Sequence, residues 1–146
     1  MLRLEFKALV VSGFLIIAPS AQAQMQRIGD TLCDIKKLQP REHQECLRKA
    51  QDESDRKMRE QIVTISGIID KTPNVLTQQK TRWRKALEDS QGQWVRFRNA
   101  ECQDLTTFET QSKQRIAEEQ RTCILDYNER RMGVLKQRYP AAATGG

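Results

Sequence analysis

The sequence has few aromatic residues, few glycines and prolines, and only one histidine. Aromatic side chains make up 5% of its 146 residues, whereas charged side chains make up 30%. So little bulky apolar volume predicts a thin core that runs along helices, not the thick core of a large globule. No stretch alternates Val, Ile or Thr with polar residues as strands do, and no glycine-rich phosphate loop or exposed-serine elbow occurs. These absences favour an all-α protein and argue against nucleotide-binding and hydrolase folds.

Catalytic groups are also scarce. The only histidine, His43, lies among charged neighbours near a predicted turn, so we expect it to be exposed and not to act as a base. The four cysteines are expected to be oxidised to disulfides, which leaves no thiolate nucleophile. The carboxylates are spread over predicted helix faces, where solvation and ion pairing explain them. We therefore predict no catalytic residue, no cofactor and no enzymatic activity.

The N-terminal region has the features of a secretory signal peptide. Arg3 and Lys7 provide a positive start, residues 8–18 form an apolar run, and a small-x-small sequence ends at Ala23. The apolar run is shorter than the roughly 18 residues that a transmembrane helix needs. We predict cleavage after Ala23, a periplasmic or secreted location, and no transmembrane segment in the mature chain. Export also disfavours nucleic acid as a partner, despite the formal net charge of +6.

Three long segments rich in Gln, Glu, Lys, Arg and Ala favour helix, and breaks separate them at residues 39–40, 71–74 and 109–113. Apolar and small residues recur in them every three or four positions. These residues are Leu47, Ala50, Ser54, Met58, Ile62, Ile65 and Ile69, then Trp83, Ala86, Leu87, Ser90, Trp94, Phe97, Glu101 and Leu105, then Ile116, Gln120, Cys123, Tyr127, Val134 and Leu135. Such one-sided stripes predict an antiparallel bundle of three long helices plus a short N-terminal helix. The domain is expected to span residues 24–140, with a flexible tail over residues 141–146.

Four cysteines in an exported chain of this size predict two disulfides. Cys33 and Cys46 flank the first break, and Cys102 and Cys123 flank the third. A chain that folds back at each break places the two cysteines that flank it opposite each other on neighbouring segments. The pairs Cys33–Cys46 and Cys102–Cys123 are therefore favoured. Because both turns lie at the same end of the bundle, a crossed pairing such as Cys33 with Cys102 stays open. Zinc is disfavoured, because ligand pairs two to four residues apart are absent.

The third segment carries the most specific motif of the chain. It has the pattern L-x3-Q-x2-W-x2-[YF]-R-x-A-E-C at Leu87, Gln91, Trp94, Phe97, Arg98, Ala100, Glu101 and Cys102. Weaker motifs lie at Cys123, Ile124, Tyr127, Arg131 and Leu135, and at Cys46, Asp55 and Met58. In these residues the chain resembles the LprI-like lysozyme-inhibitor domain family of small exported bacterial proteins. It departs from that family where Met58, Arg59 and Ile62 replace a leucine–asparagine pair and a tyrosine, and where Asn128 replaces a threonine.

The resemblance implies a disulfide-bridged helical domain, and a founding member of the family is a lipid-anchored inhibitor of lysozyme. We therefore expect a binding protein whose leading partner is a lysozyme or another muramidase. A basic group such as Arg98 or Arg131, or a loop near a helix turn, would enter the acidic cleft that holds the enzyme's two catalytic carboxylates. In the structural alternative, these two arginines pair with Glu101, Asp126 or helix-end carbonyls.

Other residues are assigned to partner contact or to the scaffold. A basic cluster surrounds Trp83 after the second break and consists of Lys80, Arg82, Arg84 and Lys85. Arg82, Trp83 and Arg84 are assigned to partner contact, and the alternative is a solvated face. The motif residues with expected structural roles are Leu87, Gln91, Trp94, Phe97, Glu101 and Leu135. Among these, Trp94 and Phe97 are expected in the core. The alternative function is a non-catalytic structural or adaptor protein that binds anionic components of the cell envelope through its basic residues.

Overall fold

The structure, a computed structural model, describes residues 27–142. Its helices are α1 (Ile28–Leu32), α2 (Pro40–Lys71), α3 (Thr77–Asn99), α4 (Thr106–Glu109) and α5 (Ile116–Arg138). A π-helical segment, Ala100–Leu105, joins α3 to α4, and 3-10 turns lie at Lys113–Arg115 and Pro140–Ala142. The described range contains no strand. None of the helices in it is long and apolar enough to cross a bilayer.

The two ends of the chain are described only in part. The predicted signal peptide, residues 1–23, lies outside the described range. Ala141 and Ala142, the first residues of the predicted tail, belong to the last 3-10 turn, which packs against α2 and α5. The flexibility of the tail stays a prediction. The remainder of that predicted tail also lies outside the described residues.

Helices α2, α3 and α5 pack as a bundle in which consecutive long helices run in opposite directions. Asp70 near the end of α2 pairs with Arg84 near the start of α3, whereas Asp55 in the middle of α2 pairs with Arg98 near the end of α3. Helix α5 returns along α3 and therefore runs parallel to α2, with which it makes its most extensive packing. The predicted all-α bundle of three long helices and a short N-terminal helix is confirmed.

The first two predicted breaks fall where long helices begin and end, and the third lies between α4 and the 3-10 turn that precedes α5. Pro40 is the first residue of α2, where its missing N–H is no loss, and Glu42 accepts a hydrogen bond from the backbone N–H of Gln39 at 2.9 Å. The second break contains Asn74, whose φ of 58° lies in the left-handed region that Asn tolerates. The chain reverses at this turn, so α3 can pack back on α2.

Buried side chains form two clusters between the helices. The larger cluster contains Met58, Ile65, Ile69, Leu87, Met132 and Leu135, and the smaller contains Cys33, Leu47 and Leu125. Full burial of one large aliphatic side chain contributes about 1.5–3 kcal/mol. The predicted apolar stripe of α2 supplies four of these residues, so its inward face was placed correctly.

The predicted stripes of α3 and α5 need correction. Leu87 is the only buried apolar residue of α3, and Phe97, which was expected in the core, is 52% exposed. The buried residues of α5 are Thr122, Ile124, Leu125, Asn128, Met132 and Leu135. Tyr127 and Val134 of the predicted stripe are only partly buried and exposed, respectively. Because two buried positions of α5 are polar, a pattern read from apolar residues was rotated away from the true inner face.

Both favoured disulfides are present. Cys33–Cys46 joins the segment after α1 to α2 with a Cα–Cα distance of 5.8 Å, and Cys102–Cys123 joins the π-helical segment to α5 with 5.4 Å. The crossed pairing that the sequence left open therefore does not occur. Each bridge closes a short loop near the same end of the bundle and contributes roughly 3 kcal/mol by restricting the unfolded chain.

The short helix α1 is held tightly against α5. The backbone N–H of Ile28 donates to Asp126 Oδ1 at 2.8 Å. Gly29 lies so close to Thr122 that a Cβ at position 29 would be 2.7 Å from the threonine Oγ1. Glycine is therefore required at this contact, since any side chain would push α1 away from α5.

Candidate functional site

Arg98 of the central motif lies inside the bundle and is only 7% exposed. Its Nη1 donates to Asp55 Oδ1 at 2.8 Å and to Asn128 Oδ1 at 2.7 Å, and its Nε and Nη2 donate to Asn99 Oδ1. Asn128 is fully buried and donates in turn to Ser54 Oγ and to Asp55 Oδ1. A buried charge is tolerated only when it is paired and hydrogen-bonded, and this network gives the Arg98 guanidinium both an ion pair and hydrogen bonds. Arg98 therefore joins α2, α3 and α5.

The assignment of Arg98 as a partner contact is thus wrong. Its guanidinium is covered by the bundle and engaged by a carboxylate and two amides. The structural alternative was right in kind but wrong in its partners, because Glu101 and Asp126 do not reach this group. The true partner, Asp55, lies 43 residues earlier in the sequence. A charged residue three turns after the buried Leu87 was the available sign that position 98 faces inward.

Aromatic and arginine side chains line the outer seam between α3 and α5, here called the α3–α5 face. Its residues are Trp83, Ser90, Gln91, Trp94, Phe97, Glu101, Tyr127, Arg130, Arg131, Val134, Arg138 and Tyr139. Apart from Phe108, it contains every aromatic residue of the described range. Phe97 packs on Tyr127 with ring centroids 5.9 Å apart, and Trp83 Nε1 donates to the hydroxyl of Tyr139 at 3.1 Å. Phe97 and Val134 are among the exposed large apolar residues of the protein.

Trp94 lies at the centre of this face, between two guanidinium groups. The Cζ atom of Arg98 is 5.4 Å from the Trp94 ring centroid, and that of Arg131 is 5.8 Å from it. Arg131 Nε donates to Gln91 Oε1 at 3.1 Å, and Arg131 Nη2 donates to Ser90 Oγ at 3.3 Å. The pKa of Arg131 is lowered from its ordinary value, mainly by burial and to a smaller extent by the nearby charge of Arg138.

The lower part of the face is shaped by the π-helical segment. The carbonyl of Glu101 accepts the backbone N–H of Thr106 and also its Oγ1 hydroxyl, the latter at 3.1 Å. The Glu101 carboxylate accepts from the Tyr127 hydroxyl at 3.3 Å. The pKa of Tyr127 is raised, mainly by burial and to a smaller extent by the negative charge of Glu101. Such π-helical turns are often found at functional sites in α-helices.

The basic cluster predicted after the second break does not form one patch. Trp83 belongs to the α3–α5 face, whereas Arg84 points to the other edge of α3 and pairs with Asp70 of α2. Arg82 is exposed and forms no ion pair with any residue that the structure describes. Of the motif residues with expected structural roles, Leu87 and Leu135 are in the core, and Trp94 packs against its edge.

A second candidate site is an open hollow of about 1010 Å³ along α1, α2 and α5. Its apolar floor includes Ile28, Leu32, Leu38, Leu125 and Met132, and its charged rim consists of Glu42, Glu45, Lys49, Glu53, Lys57 and Glu129. Sequence patterns missed it because its lining comes from three separate elements. Two of the four rim carboxylates, Glu45 and Glu53, already meet cations, and the hydrogen bond from Arg48 lowers the pKa of Glu45 to about 2. The rim therefore offers no clear charge preference.

The residue types that could serve catalysis or metal binding are the single histidine, the carboxylates and the cysteines. His43 was expected to be exposed but is buried, because it lies one turn before Leu47 on the inner face of α2. Among residues 27–142, no group of three or more His, Cys, Asp or Glu side chains is arranged to hold a metal ion. All cysteines of the chain are in disulfides.

The α3–α5 face has the composition of a protein-binding surface, because it is rich in Trp, Tyr and Arg.

Comparison with known proteins identifies the family. The family model described as "Lysozyme inhibitor LprI" matches residues 33–135. No curated protein and no solved structure shows significant similarity to the chain. The matched range includes both disulfides, the Asp55–Arg98–Asn128 network and most of the α3–α5 face. The chain therefore belongs to the LprI lysozyme-inhibitor family.

Proposed function

We propose that this protein is an exported inhibitor that binds a lysozyme-type muramidase and blocks its cleft. The observation that carries the proposal is the family match over residues 33–135, which covers most of the described fold. The action needs no bond to be made or broken by the inhibitor. It needs only a rigid surface that excludes the polysaccharide from the enzyme.

The α3–α5 face is the proposed contact surface. Trp, Tyr and Arg dominate the binding energy of protein interfaces, because they bury large areas and form specific polar contacts. This face combines them with the exposed side chains of Phe97 and Val134. It lies on two helices that the Cys102–Cys123 bridge and the Arg98 network hold together, so little order has to be gained on binding.

The cleft of a lysozyme-type enzyme contains two carboxylates on either side of the scissile glycosidic bond. In the proposed complex, Arg131 faces these carboxylates and Phe97 covers the adjoining substrate groove. Arg98, which the sequence also suggested for this role, serves instead as an internal support of the face.

Net charge works against this association at long range. Removal of residues 1–23 takes away Arg3, Lys7 and Glu5, so the formal net charge falls only from +6 to +5. Many lysozymes are also strongly basic, and two cationic proteins repel each other most at low ionic strength. The inhibition is therefore expected to strengthen between low and moderate salt, as screening removes the repulsion and the short-range contacts persist.

The proposal is tested by adding the purified protein to a muramidase that is clearing a suspension of purified cell walls. Dose-dependent loss of clearing, stronger at moderate than at low salt, is the expected result. If micromolar protein inhibits none of several muramidase classes, the proposal is contradicted. Retention on anionic vesicles, lost at moderate salt, would instead favour the alternative of an envelope-bound adaptor protein.

Export is proposed together with inhibition. The two disulfides are typical of an oxidising compartment, and the proposed cleavage after Ala23 would deliver the protein to the periplasm or the medium. Mass spectrometry of the protein recovered from those fractions tests both points. An N-terminus at Gln24 is expected, whereas an intact N-terminus at Met1 would contradict cleavage.

A further inference from the structure

Two arginines share the Trp94 ring, but only one of them has a counter-ion. Arg98 meets the Asp55 carboxylate at 2.8 Å, in addition to its contact with the ring. Arg131 meets the ring and two neutral groups, the amide of Gln91 and the hydroxyl of Ser90. No carboxylate within residues 27–142 forms an ion pair with Arg131. The same aromatic platform therefore holds one neutralised cation and one cation without a partner charge.

The surroundings of Arg131 make this imbalance larger. Arg131 is partly buried, and a partly desolvated cation is stabilised by a nearby anion. Its neighbour Arg138 carries a charge of the same sign, close enough to lower the pKa of Arg131. Of the other partly buried arginines, Arg27 and Arg84 form ion pairs, with Glu119 and Asp70 respectively, whereas Arg121 is bonded to the amide of Gln44. An anion from outside the chain would relieve the repulsion between Arg131 and Arg138.

The guanidinium of Arg131 also has a free edge. Of its five N–H groups, Nε–H is directed to Gln91 and one Nη2–H to Ser90. No acceptor within the described range engages its Nη1 atom. The edge formed by Nη1 and Nη2 can therefore donate two parallel hydrogen bonds, which is the geometry that a planar carboxylate accepts.

We propose that Arg131 and Arg138 form a carboxylate-binding site at the edge of the Trp94 ring. Gln91 and Ser90 fix the plane of the Arg131 fork, Trp94 supports its face, and Arg138 supplies a second positive charge. In the complex this site takes a carboxylate of the muramidase cleft, and in this respect the inference rests on the proposed function. The site itself needs only the chemistry of the carboxylate group.

The site can be tested without any enzyme. Acetate is titrated into the isotopically labelled protein at constant ionic strength, with chloride as the balancing ion, while the Nε–Hε signals of the arginines are followed by NMR. We expect a saturable shift of the Arg131 signal. Arg121 is the matched internal control, since it is a partly buried arginine of the same helix bonded to an amide, Gln44, with no ring beneath it. Equal shifts of both signals, or equal effects of acetate and chloride, would overturn the site. A parallel titration with phosphate tests its selectivity, and tighter binding of phosphate would overturn the preference for carboxylate.

The role of the site in the complex is tested with enzyme variants whose catalytic carboxylates are changed, one at a time, to amides. The Arg131→Gln variant should bind the native muramidase about 10-fold or more weakly, as expected for loss of a charged hydrogen-bonded pair. Towards the enzyme variant that lacks the contacted carboxylate, Arg131→Gln and the unaltered protein should bind with about equal affinity. Equal weakening towards every enzyme would overturn the carboxylate contact while leaving the inhibition intact. If the unaltered protein binds no muramidase, the proposed function fails, and the acetate titration alone decides the site.

Discussion

The Nη1 atom of Arg98 lies 2.8 Å from Oδ1 of Asp55, inside a bundle whose other core residues are mostly aliphatic. This contact connects the end of α3 to the middle of α2. Asn128 of α5 bonds to both members, so the contact fixes the position of all three long helices. The exposed aromatic residues of the α3–α5 face are therefore built on a polar support, not on an apolar one.

Removing the arginine from this support is expected to cost much stability. The Arg98→Ala variant leaves the Asp55 carboxylate beside Asn128 without its cation, and breaking a buried pair costs about 3–5 kcal/mol. Urea unfolding followed by circular dichroism measures the difference. Arg96→Ala is the matched control, because Arg96 is exposed two residues earlier in the same helix, and its loss is expected to change stability by less than about 0.5 kcal/mol. Equal effects of the two variants would mean that the network adds nothing.

The contact between α1 and α5 makes a second prediction. A methyl group at position 29 would lie 2.7 Å from Thr122, so Gly29→Ala is expected to destabilise the protein by about 1–3 kcal/mol through overpacking. Gly133→Ala is the control, since nothing lies within 4 Å of its Cβ position, and it should stabilise α5 by about 0.5–1 kcal/mol. Adding Thr122→Ala to Gly29→Ala should recover part of the loss in a thermal melt. A lack of recovery would contradict the proposed clash.

The Cys102–Cys123 bridge is expected to stabilise the base of the α3–α5 face. Replacing both cysteines with serine opens a loop of 21 residues and should lower the free energy of unfolding by roughly 3 kcal/mol. Hydrogen exchange then tests where the effect lies. Faster exchange is expected at residues 100–123, with α2 little changed below the unfolding transition. Uniformly faster exchange throughout the bundle would show that the bridge acts on global stability alone.

Tyr127 is expected to make stability fall at alkaline pH. Its pKa is raised in the folded state by burial and by Glu101, so the unfolded chain loses this proton first, near pH 10. Above that pH the unfolded state binds fewer protons than the folded state, and the free energy of unfolding decreases as pH rises. Tyr127→Phe removes this dependence and should flatten the decline between about pH 9.5 and pH 11. Unfolding curves at several pH values check it, with Tyr139→Phe as the control for loss of a tyrosine. The same decline in both variants would contradict the assignment.

The helices, their breaks and the disulfides could be predicted from local features of the sequence. Periodicity in α2 is strong, Pro40 and Asn74 mark its ends, and cysteine spacing relative to the turns favours the local pairs over a crossed pairing. Each of these inferences depends on residues that are close in the sequence or related by a single turn. The inward face of α2 was right for the same reason.

The candidate site was predicted only in part, because it depends on distant contacts. Trp83, Trp94, Gln91 and Arg131 were named and do meet on one face. The interior role of Arg98 depends on Asp55 of another helix, and the exposure of Phe97 depends on how α5 is rotated by its buried polar residues. Hydrophobic pattern carries neither kind of information.

A pair of phenylalanine variants tests whether the α3–α5 face is the surface that blocks a muramidase. Phe97 is half-exposed on the face, and Phe108 is 87% exposed on α4, outside it. In the wall-clearing assay, Phe97→Ala should raise the concentration needed for half-inhibition by at least about fivefold, as for a residue near the centre of an interface. Phe108→Ala should leave it unchanged, with thermal melts showing that both variants are folded. An unchanged value for Phe97→Ala together with a large increase for Phe108→Ala would contradict the account and move the contact to the α4 end of the bundle.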